Sequence, residues 1–556
     1  MDEQTGASEQ VVSILTRPVV AGLVLLLFYG ALSLLMSPDG YLGTDTGAKV
    51  YTLEVMDRND TTNPDVGYWA AEHDPDGRVH PLFQAAPRAD GGWVIVTTLP
   101  VLEAARPLYE FGGYRATLLL PMLGSVGTAF AAFAVARRLG SERDAWRVFW
   151  IVGVASPAVV YALDFWEHSI GMALMVGAVA LLLDVIDRGS VVRAVGAGAC
   201  FGAAAVLRNE AFVYAAVAVG TTCVVRLWRH RSVVPPAMTG VASIVGFAGP
   251  WLANVALERA VDGPSRSTRA SGTATRVGED VGERVREGLQ TLFGLNAGTF
   301  EESVFLGIAV VGIILIGFRG ERLGDQRFLY TCLGGAFATH LATAAGGLGF
   351  VPGILVAFPL SVAAFVQARR TDRHLIVAAI ALVALPFVYA FQFVGGGAPQ
   401  WSGRYTLASV ILLAVVGMVG LLERYPRMGV GLVALSFVVT MLGVGWLWER
   451  SHGVDEFFED VAAEAESVVI SRNAFLVREG GAAAVGERWL SVKDEETFEL
   501  AIDVAREVGE ERFSVLEWGG EAPPDESIPE DVSEVDRTLL SFVNVPVGLV
   551  TYEFVG

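Results

Sequence analysis

Three ionisable side chains lie within five residues of one another between two apolar stretches of the chain. The segment consists of Asp164, Phe165, Trp166, Glu167 and His168. If a helix has begun by Asp164, then Asp164 and His168 are four residues apart and share a helix face with Glu167. Two carboxylates and an imidazole can bind a divalent cation such as Mg²⁺ or Mn²⁺, or hold an acceptor by hydrogen bonds beside the apolar Trp166. The alternative is a capped helix start with an interfacial tryptophan.

A further acidic residue, Asp45, lies a few residues beyond the first long apolar stretch. A carboxyl group at a boundary between water, lipid headgroups and protein is partly desolvated, and desolvation raises a carboxyl pKa toward the range of a general base. Asp45 is therefore our candidate for the group that takes up a proton. The alternative is an exposed aspartate that caps the helix predicted over residues 46–56.

The elements that must position these residues are apolar stretches long enough to cross a bilayer, which takes about 17 to 25 residues. The chain has 53% hydrophobic residues and a mean hydropathy of +0.48, too apolar for a single soluble domain. We predict an α-helical polytopic membrane protein with about thirteen transmembrane helices. The predicted spans are 18–36, 114–136, 146–163, 168–186, 192–208, 210–226, 238–257, 303–318, 328–345, 350–367, 374–392, 405–422 and 428–447.

Arginines occupy every second break between these spans, and the positive-inside rule places those loops in the cytoplasm. The acidic residues described above then lie on the outer face. An odd number of spans with a cytoplasmic N-terminus puts the C-terminus outside the cell. The arginines of the predicted cytoplasmic loops are Arg137, Arg138, Arg143, Arg147, Arg188, Arg193, Arg226, Arg229, Arg231, Arg319, Arg322, Arg327, Arg369, Arg370, Arg373, Arg424 and Arg427.

Two arginines lie in short outer turns, where the positive-inside rule disfavours arginine, so their presence there requires a reason. Arg208 lies between the fifth and sixth spans, and Arg404 lies at the start of the twelfth. A lipid phosphate is one reason, because a guanidinium binds phosphate oxygens through paired hydrogen bonds. For Arg404 we favour phosphate binding. For Arg208 the alternative is an ion pair with an outer carboxylate such as the nearby Glu210.

The domains that we predict are a transmembrane part, 1–448, and a small extracytoplasmic α/β domain, 449–556. The transmembrane part has two long outer loops, 37–113 and 258–302. Within the second loop, apolar residues recur every three or four positions, which predicts an amphipathic helix that lies flat on the outer leaflet and frames an entrance for a lipid. The alternative is an ordinary amphipathic surface helix. Its apolar residues are Val277, Val281, Val285, Leu289 and Leu292.

The carboxy-terminal domain is predicted from three short apolar strands and one amphipathic helix. The strands are predicted at 468–470, 489–492 and 513–517, and the helix at 495–508. Residues 521–534 are rich in proline and acids and read as a linker before a last strand at 545–554.

The net charge of −20 comes with only two lysines, Lys49 and Lys493. Such an acid-rich, lysine-poor composition resembles that of salt-adapted archaeal proteins, and the alternative is an ordinary acidic extracellular domain. Neither version favours nucleic-acid binding, which depends on a basic surface. The three cysteines fall inside apolar spans, where they are expected to be small buried hydrophobes rather than disulfides.

A series of short motifs in a fixed order is similar to that of the GT-C superfamily of polytopic glycosyltransferases. Among its members, the protein O-mannosyltransferases and the aminoarabinose transferases of lipid A are the most alike. The resemblance covers residues 15–450. It rests on the acid after the first span and its long loop, and on the segments 109–115, 136–140, 155–157, 207–210 and 404–405.

The resemblance implies a donor sugar carried on a polyprenyl phosphate, such as dolichyl phosphate, and a hexosyl or mannosyl type of transfer on the outer face of the cell membrane. It implies that Asp45 is the catalytic acidic residue, Asp164 the second outer acid and Arg404 a contact to the donor phosphate. In many members a second acid follows the first directly, whereas Thr46 follows Asp45 here.

The residues also suggest a mechanism, because a lipid phosphate is already a good leaving group. The remaining tasks are to deprotonate the acceptor hydroxyl and to stabilise charge on the phosphate. We assign the first task to Asp45, and the second to Arg404 with a cation at the 164–168 segment. One-step displacement inverts the anomeric centre, and the acceptor is a protein or a lipid-linked glycan.

The main alternative from another class is a secondary transporter. Transporters place ionisable groups or broken helices near the bilayer midplane. A charge at that depth costs about 2.5 to 3.5 kcal/mol on insertion scales, and the predicted spans are nearly free of charge in their middles. If the protein were a non-catalytic membrane scaffold, the ionisable residues of the 164–168 segment would have no explanation.

Overall fold

The computed structural model describes residues 16–41, 43–88, 91–95, 98–262, 281–296, 298–346, 351–391, 401–519 and 528–555. Its α-helices are α1 Pro18–Ser33, α2 Thr44–Arg58, α3 Leu99–Thr117, α4 Leu119–Leu139, α5 Glu142–Val154, α6 His168–Arg188, α7 Val191–Leu207, α8 Glu210–His230, α9 Val234–Asp262, α10 Val281–Phe293, α11 Phe300–Leu323, α12 Gln326–Ala344, α13 Ile354–Ala357, α14 Ala364–Gln367, α15 Asp372–Phe391, α16 Leu407–Met418, α17 Leu421–Arg424, α18 Pro426–Glu464, α19 Leu476–Glu479 and α20 Glu495–Glu507.

Short 3₁₀ turns and two sheets complete the secondary structure. The 3₁₀ turns are Val160–Ala162, Pro359–Ala363, Arg404–Thr406 and Gly481–Ala484. The strands are β1 Ala85–Pro87, β2 Trp93–Ile95, β3 Val468–Ser471, β4 Arg488–Ser491, β5 Arg512–Trp518, β6 Val532–Phe542 and β7 Val545–Phe554.

The chain divides into two compact units. The helical unit consists of Met1–Ser33, Leu119–Ala256 and Ser267–Trp446. The sheet unit consists of Leu34–Leu118, Leu257–Arg266 and Leu447–Gly556. The first outer loop, which the sequence assigned to the transmembrane part, therefore belongs to the same unit as the carboxy-terminal residues.

Eight helices in the described part of the chain are long and apolar enough to cross a membrane. They include α4, α6, α8, α9, α11, α15 and α18, and a stretch from Arg404 to Arg424 that is 94% buried. Two shorter apolar helices, α1 and α7, accompany them. The protein is therefore a mostly helical, multi-pass membrane protein, as the sequence predicted.

Several predicted spans are not continuous helices. The span predicted over 114–136 is interrupted at Leu118, between α3 and α4, and the span predicted over 405–422 is interrupted at Val419 and Gly420, between α16 and α17. The span predicted over 146–163 ends at Val154, because Pro157 disfavours the helical conformation of the residue before it. Ser156 instead donates a hydrogen bond to the carbonyl of Val152 and accepts one from the backbone N–H of Ala158. The span predicted over 350–367 is broken into α13, the turn Pro359–Ala363 and α14.

Two further boundaries differ from the prediction. Helix α18 runs without a break through the stretch predicted over 428–447 and on to Glu464, because residues 448–453 contain no proline to interrupt the helix. Strand β6 begins within the segment predicted as a linker over 521–534, of which residues 521–527 lie outside the described residues.

Ion pairs join the carboxy-terminal end of α6 to four other helices of the helical unit, at their arginine-rich ends. The opposite end of α6 carries the 164–168 segment, and a helix of this length spans about 30 Å. The arginine-rich turns and the 164–168 segment therefore lie at opposite ends of α6. The pairs are Arg138–Asp184 at 2.5 Å, Arg193–Asp184 at 3.0 Å, Arg229–Asp187 at 3.5 Å and Arg373–Asp187 at 2.7 Å.

The sheet unit contains a five-stranded mixed sheet in the order β4-β3-β5-β7-β6. Strand β3 pairs in parallel with β4 and β5, whereas β7 pairs antiparallel with β5 and β6. Helix α20 packs on this sheet through apolar residues such as Phe498 and Ile502. This arrangement confirms the small α/β fold predicted for the carboxy-terminal residues.

The first outer loop is folded into the sheet unit. Helix α2 matches the helix predicted over 46–56, and a further helix of this loop, α3, begins at Leu99, after strand β2. Ala70 and Val79 of this loop lie in the hydrophobic core of the sheet domain, next to Val468 and Ile470.

Candidate functional site

The 164–168 segment is buried at the start of α6, but only its last residue is helical. Helix α6 begins at His168, and Glu167 is its N-cap, so Asp164 precedes the helix. The prediction that Asp164, Glu167 and His168 share a helix face is therefore wrong. All three side chains are nonetheless buried, with relative exposures of 1 to 2%.

Arg208 forms ion pairs with two of the buried carboxylates. Its Nη1 lies 3.4 Å from Glu167 Oε1, and its Nε lies 3.1 Å from Glu210 Oε1. The backbone of Arg208 is extended between α7 and α8, which directs the side chain toward the start of α6. These contacts match the ion-pair alternative for Arg208.

The predicted metal site at Asp164, Glu167 and His168 is not formed. Among the described residues, no three His, Cys, Asp or Glu side chains converge closely enough to hold a metal ion. The physical reasons are that the carboxylate of Glu167 is engaged by the Arg208 guanidinium and that Asp164 lies outside the helix. These residues thus do not fit a bound cation.

The 3₁₀ turn at Arg404 meets the same buried segment. The guanidinium carbon of Arg404 lies 5.3 Å from the centre of the Trp166 ring and 4.8 Å from that of Tyr405. Tyr161 donates a hydrogen bond of 2.7 Å to the carbonyl of Trp401, which is fully buried. The structure therefore brings together the predicted residues of three separate turns, around residues 164, 208 and 404.

The turn that carries Arg404 depends on a glycine. Gly403 has a φ of +58°, a left-handed conformation that most side chains disfavour. A Cβ at Gly403 would also lie 2.1 Å from Thr291 Cγ2, so helix α10 approaches the backbone of this turn closely. A guanidinium between two aromatic rings keeps its N–H donors in the plane of the group, where an anion can accept them.

Helix α10 lines an apolar cavity of about 630 Å³ in the helical unit. The prediction of an amphipathic helix is confirmed from Val281 onward, whereas Val277 lies outside the described residues. Arg284 donates a hydrogen bond of 2.7 Å to the carbonyl of Tyr389 in the cavity wall. Most of the lining is aliphatic or aromatic, which suits a hydrocarbon chain. The apolar lining includes Val285, Leu289, Leu292, Leu355, Phe365, Leu382, Leu385 and Leu413.

Asp45 belongs to the sheet unit and lies in the first turn of α2. The N-cap of α2 is Gly43, so Asp45 is not the capping residue, although a carboxylate in the first turn is favourable for the helix dipole. Its side chain is about one-third exposed, and its Oδ1 lies 3.3 Å from Nη2 of Arg478. The sequence did not predict Arg478 as a site residue, since no local motif marks it.

The sheet unit has a second buried ionisable group near the same loop. His80 is packed between the rings of Tyr68 and Trp93, and burial lowers the pKa of its imidazole to about 4. Its Nδ1 accepts a hydrogen bond from the backbone N–H of Leu82, and its Nε2 lies 3.2 Å from the carbonyl of Gly67. His80 therefore acts as a neutral residue that holds the loop.

Comparisons with known proteins bear on the fold. No protein-family model matches the sequence, and no curated protein is similar to it in sequence. The crystal structure of ArnT from Cupriavidus metallidurans bound to undecaprenyl phosphate is similar, with a TM-score of 0.50 and 13% identity, over 96% of this chain and 97% of that one. The apo state of that protein gives a TM-score of 0.48 and 12% identity over 98% of both chains.

The oligosaccharyltransferase of Archaeoglobus fulgidus, in complex with Zn and sulfate, gives a TM-score of 0.46 and 11% identity, over 88% of this chain and 67% of that one. Over almost its whole length the chain has the fold of ArnT with bound undecaprenyl phosphate, which confirms the predicted mostly helical architecture with a small carboxy-terminal α/β part.

Proposed function

We propose that the protein is a membrane glycosyltransferase. It moves a sugar from a polyprenyl phosphate, such as dolichyl phosphate, to a hydroxyl group of a protein or lipid-linked glycan. The fold is that of a protein solved with undecaprenyl phosphate, and this likeness sets the general kind of reaction that we propose. The transfer takes place on the outer face of the cell membrane, with the N-terminus in the cytoplasm and the C-terminus outside.

The observation that carries the proposal is the closeness of the Arg404 turn to helix α10 in the helical unit. One face of α10 lines the apolar cavity, and Thr291 on the same helix meets Gly403, next to Arg404. We assign the hydrocarbon tail of the donor to this cavity and its phosphate head to the Arg404 guanidinium. Because the arginine-rich turns lie at the other end of α6, the positive-inside rule supports an outward-facing site.

The assigned roles follow from the chemistry of a lipid-phosphate sugar. The oxygen of the acceptor attacks the anomeric carbon while the bond from that carbon to the phosphate oxygen breaks. The hydroxyl proton passes to the carboxylate of Asp45, and the electron pair of the broken bond stays on the departing lipid phosphate. Arg404 stabilises the charge on that phosphate through its N–H donors. The one-step displacement inverts the anomeric centre.

We assign Asp164, Glu167 and His168 to the polar wall of the acceptor side, with Trp166 as the apolar surface against a sugar ring. Glu167 takes part indirectly, because Arg208 holds its carboxylate. Asp164 is the group expected to accept hydrogen bonds from the acceptor, since it precedes α6 and is two residues from Trp166 in the sequence.

A secondary transporter is less well supported. Its coupling site would require ionisable side chains at a broken helix. The broken segment from Ile354 to Gln367 has no ionisable residue, and the ionisable residues that follow the break at Val154 lie at the end of α6 opposite the arginine-rich turns.

The experiment that tests the proposal uses the purified protein in liposomes with a panel of dolichyl-phosphate sugars and a candidate acceptor. We expect transfer by the wild type, and loss of transfer by about 10²- to 10⁴-fold in Asp45→Asn, the usual contribution of a general base. Asp57→Asn is the matched control, since Asp57 is exposed on the same helix. Full activity of a folded Asp45→Asn protein would refute the assignment, and accumulation of an unmodified solute would favour the transporter.

A further inference from the structure

Resting on the proposed role of Asp45 as the base, we propose that Arg478 is a positioning residue that fixes the Asp45 carboxylate for proton transfer. The two residues are 433 positions apart in the sequence. Arg478 lies in the carboxy-terminal part of the chain, so this assignment makes that part necessary for the chemical step.

The guanidinium of Arg478 is held on two sides. Nη2 donates to Asp45 Oδ1 at 3.3 Å, while Nη1 donates to the carbonyl of Phe83 and to Gln84 Oε1, each at 3.3 Å. The Arg478 side chain is only 3% exposed, whereas that of Asp45 is 34% exposed. A buried guanidinium that makes several hydrogen bonds has a fixed orientation. It therefore fixes one oxygen of the Asp45 carboxylate. The Asp45 side chain is more exposed than that of Arg478, so its carboxylate stays accessible to an acceptor.

The backbones around this pair are also in close contact. A Cβ at Gly47 would lie 1.9 Å from the carbonyl oxygen of Arg478, so α2 packs directly on the backbone of α19. The rings of Phe83 and Phe475 meet edge to face, 4.6 Å apart. The helix that bears Asp45 and the segment that bears Arg478 are thus packed without room for a side chain between them.

The loop after α2 is anchored to the sheet domain as well. The indole N–H of Trp69 donates a hydrogen bond of 3.0 Å to the carbonyl of Trp489, and the N–H of Ser491 donates one of 3.1 Å to the carbonyl of Val79. These contacts bury the loop against strand β4. The Asp45 loop therefore packs on the carboxy-terminal residues, and Arg478, one of these residues, contacts the Asp45 carboxylate.

The test compares Arg478→Gln and Arg478→Lys with the wild type, in liposomes with a dolichyl-phosphate sugar that the wild type uses. We expect Arg478→Gln to lower kcat by roughly 10- to 100-fold, because a small misplacement of a reacting group has effects of that size. The KM for the donor should change by less than about threefold, since Arg478 does not touch the donor in our scheme. Arg478→Lys keeps the positive charge, and its kcat should lie between that of the wild type and that of Arg478→Gln.

Chemical rescue separates positioning from general support of the fold. Guanidinium ion at tens of millimolar should restore part of the kcat of Arg478→Ala, whereas sodium at the same ionic strength should not. Arg450→Ala is the matched control, because Arg450 pairs with Glu479, the residue next to Arg478. It should keep wild-type kcat.

A second pair of variants covers the case in which Arg478→Ala does not fold. Gly47→Ala must displace the Arg478 backbone and should lower kcat, whereas Gly43→Ala meets open space and should not. Wild-type kcat in both Arg478→Gln and Gly47→Ala would overturn the inference. If Asp45→Asn is inactive while Arg478→Gln is fully active, the proposed function stands and only the role of Arg478 is lost. If Asp45→Asn is fully active, the assignment of the base fails first.

Discussion

The buried group of Glu167, Arg208 and Glu210 gives the sharpest test of the helical unit. The perturbation is Arg208→Met, which keeps most of the side-chain volume and removes the positive charge. The Arg208 side chain is 7% exposed, and the two carboxylates are each 2% exposed. The variant therefore leaves two buried carboxylates without the cation that neutralises them.

The expected cost is large because such carboxylates have lost their hydration. Removing one partner of a buried ion pair typically destabilises a protein by about 3 to 5 kcal/mol, whereas replacing the whole group with neutral residues of similar volume is often close to neutral. We therefore expect Arg208→Met to lower the free energy of unfolding by about 3 kcal/mol or more, and the triple variant Arg208→Met, Glu167→Gln, Glu210→Gln to recover most of that loss.

The assay is unfolding of the detergent-solubilised protein by titration with SDS, followed by tryptophan fluorescence, together with the KM for the lipid donor. Arg188→Met serves as the control, because Arg188 is exposed at the other end of α6 and should change stability by less than about 0.5 kcal/mol. If Arg208→Met has wild-type stability and a raised donor KM, the ion-pair argument is refuted, and Arg208 is a phosphate ligand.

Three other predictions follow from burial and close packing. Burial raises the pKa of Glu517 to about 7, so the folded state prefers the protonated carboxyl group. The protonated Glu517 therefore stabilises the folded state below pH 4.5, and this stabilisation is lost as the pH rises toward 7. Glu517→Gln should flatten the pH dependence of unfolding in that window, and an unchanged slope would contradict this. A Cβ at Gly198 would lie 2.0 Å from a backbone oxygen of α9, so Gly198→Val should destabilise the helical unit by about 1 to 3 kcal/mol in SDS titration, whereas Gly220→Val, which meets open space, should not. Leu385→Trp fills the apolar cavity and should raise the KM for the lipid donor severalfold. Leu375→Trp, on the exposed face of the same helix, is the control and should leave this KM unchanged. Equal KM values in the two variants would show that the donor does not bind in the cavity.

Elements defined by local periodicity were predictable from the sequence. The span predicted over 168–186 corresponds to α6, and the one predicted over 192–208 corresponds to α7, because a continuous apolar run bounded by polar residues specifies both a helix and its length. Ser190 accepts a hydrogen bond from the backbone N–H of Arg193 and so marks the start of α7. The apolar face of α10 was also predictable from its spacing.

Breaks within apolar runs were not predictable from hydropathy alone. Residues 155–163 are as apolar as the helix before them, yet they form a buried irregular segment stabilised by side-chain hydrogen bonds from Ser156 and Tyr161. Hydropathy reports only that such residues avoid water. Whether they continue a helix depends on backbone partners elsewhere, such as the carbonyl of Trp401.

The partners of the charged residues were the hardest part to predict, for a reason that concerns distance along the chain. Glu210 was recognised as a partner for Arg208 because the two residues are only two positions apart in the same turn. Asp45 and Arg478 are brought together by the packing of α2 on α19 and by a loop built into the sheet domain. No periodicity connects two such segments, so the sequence identified the acid without the arginine that holds it. The arginine-rich turns along the chain predicted which helix ends lie together, whereas the pairing of individual charges depends on tertiary contacts.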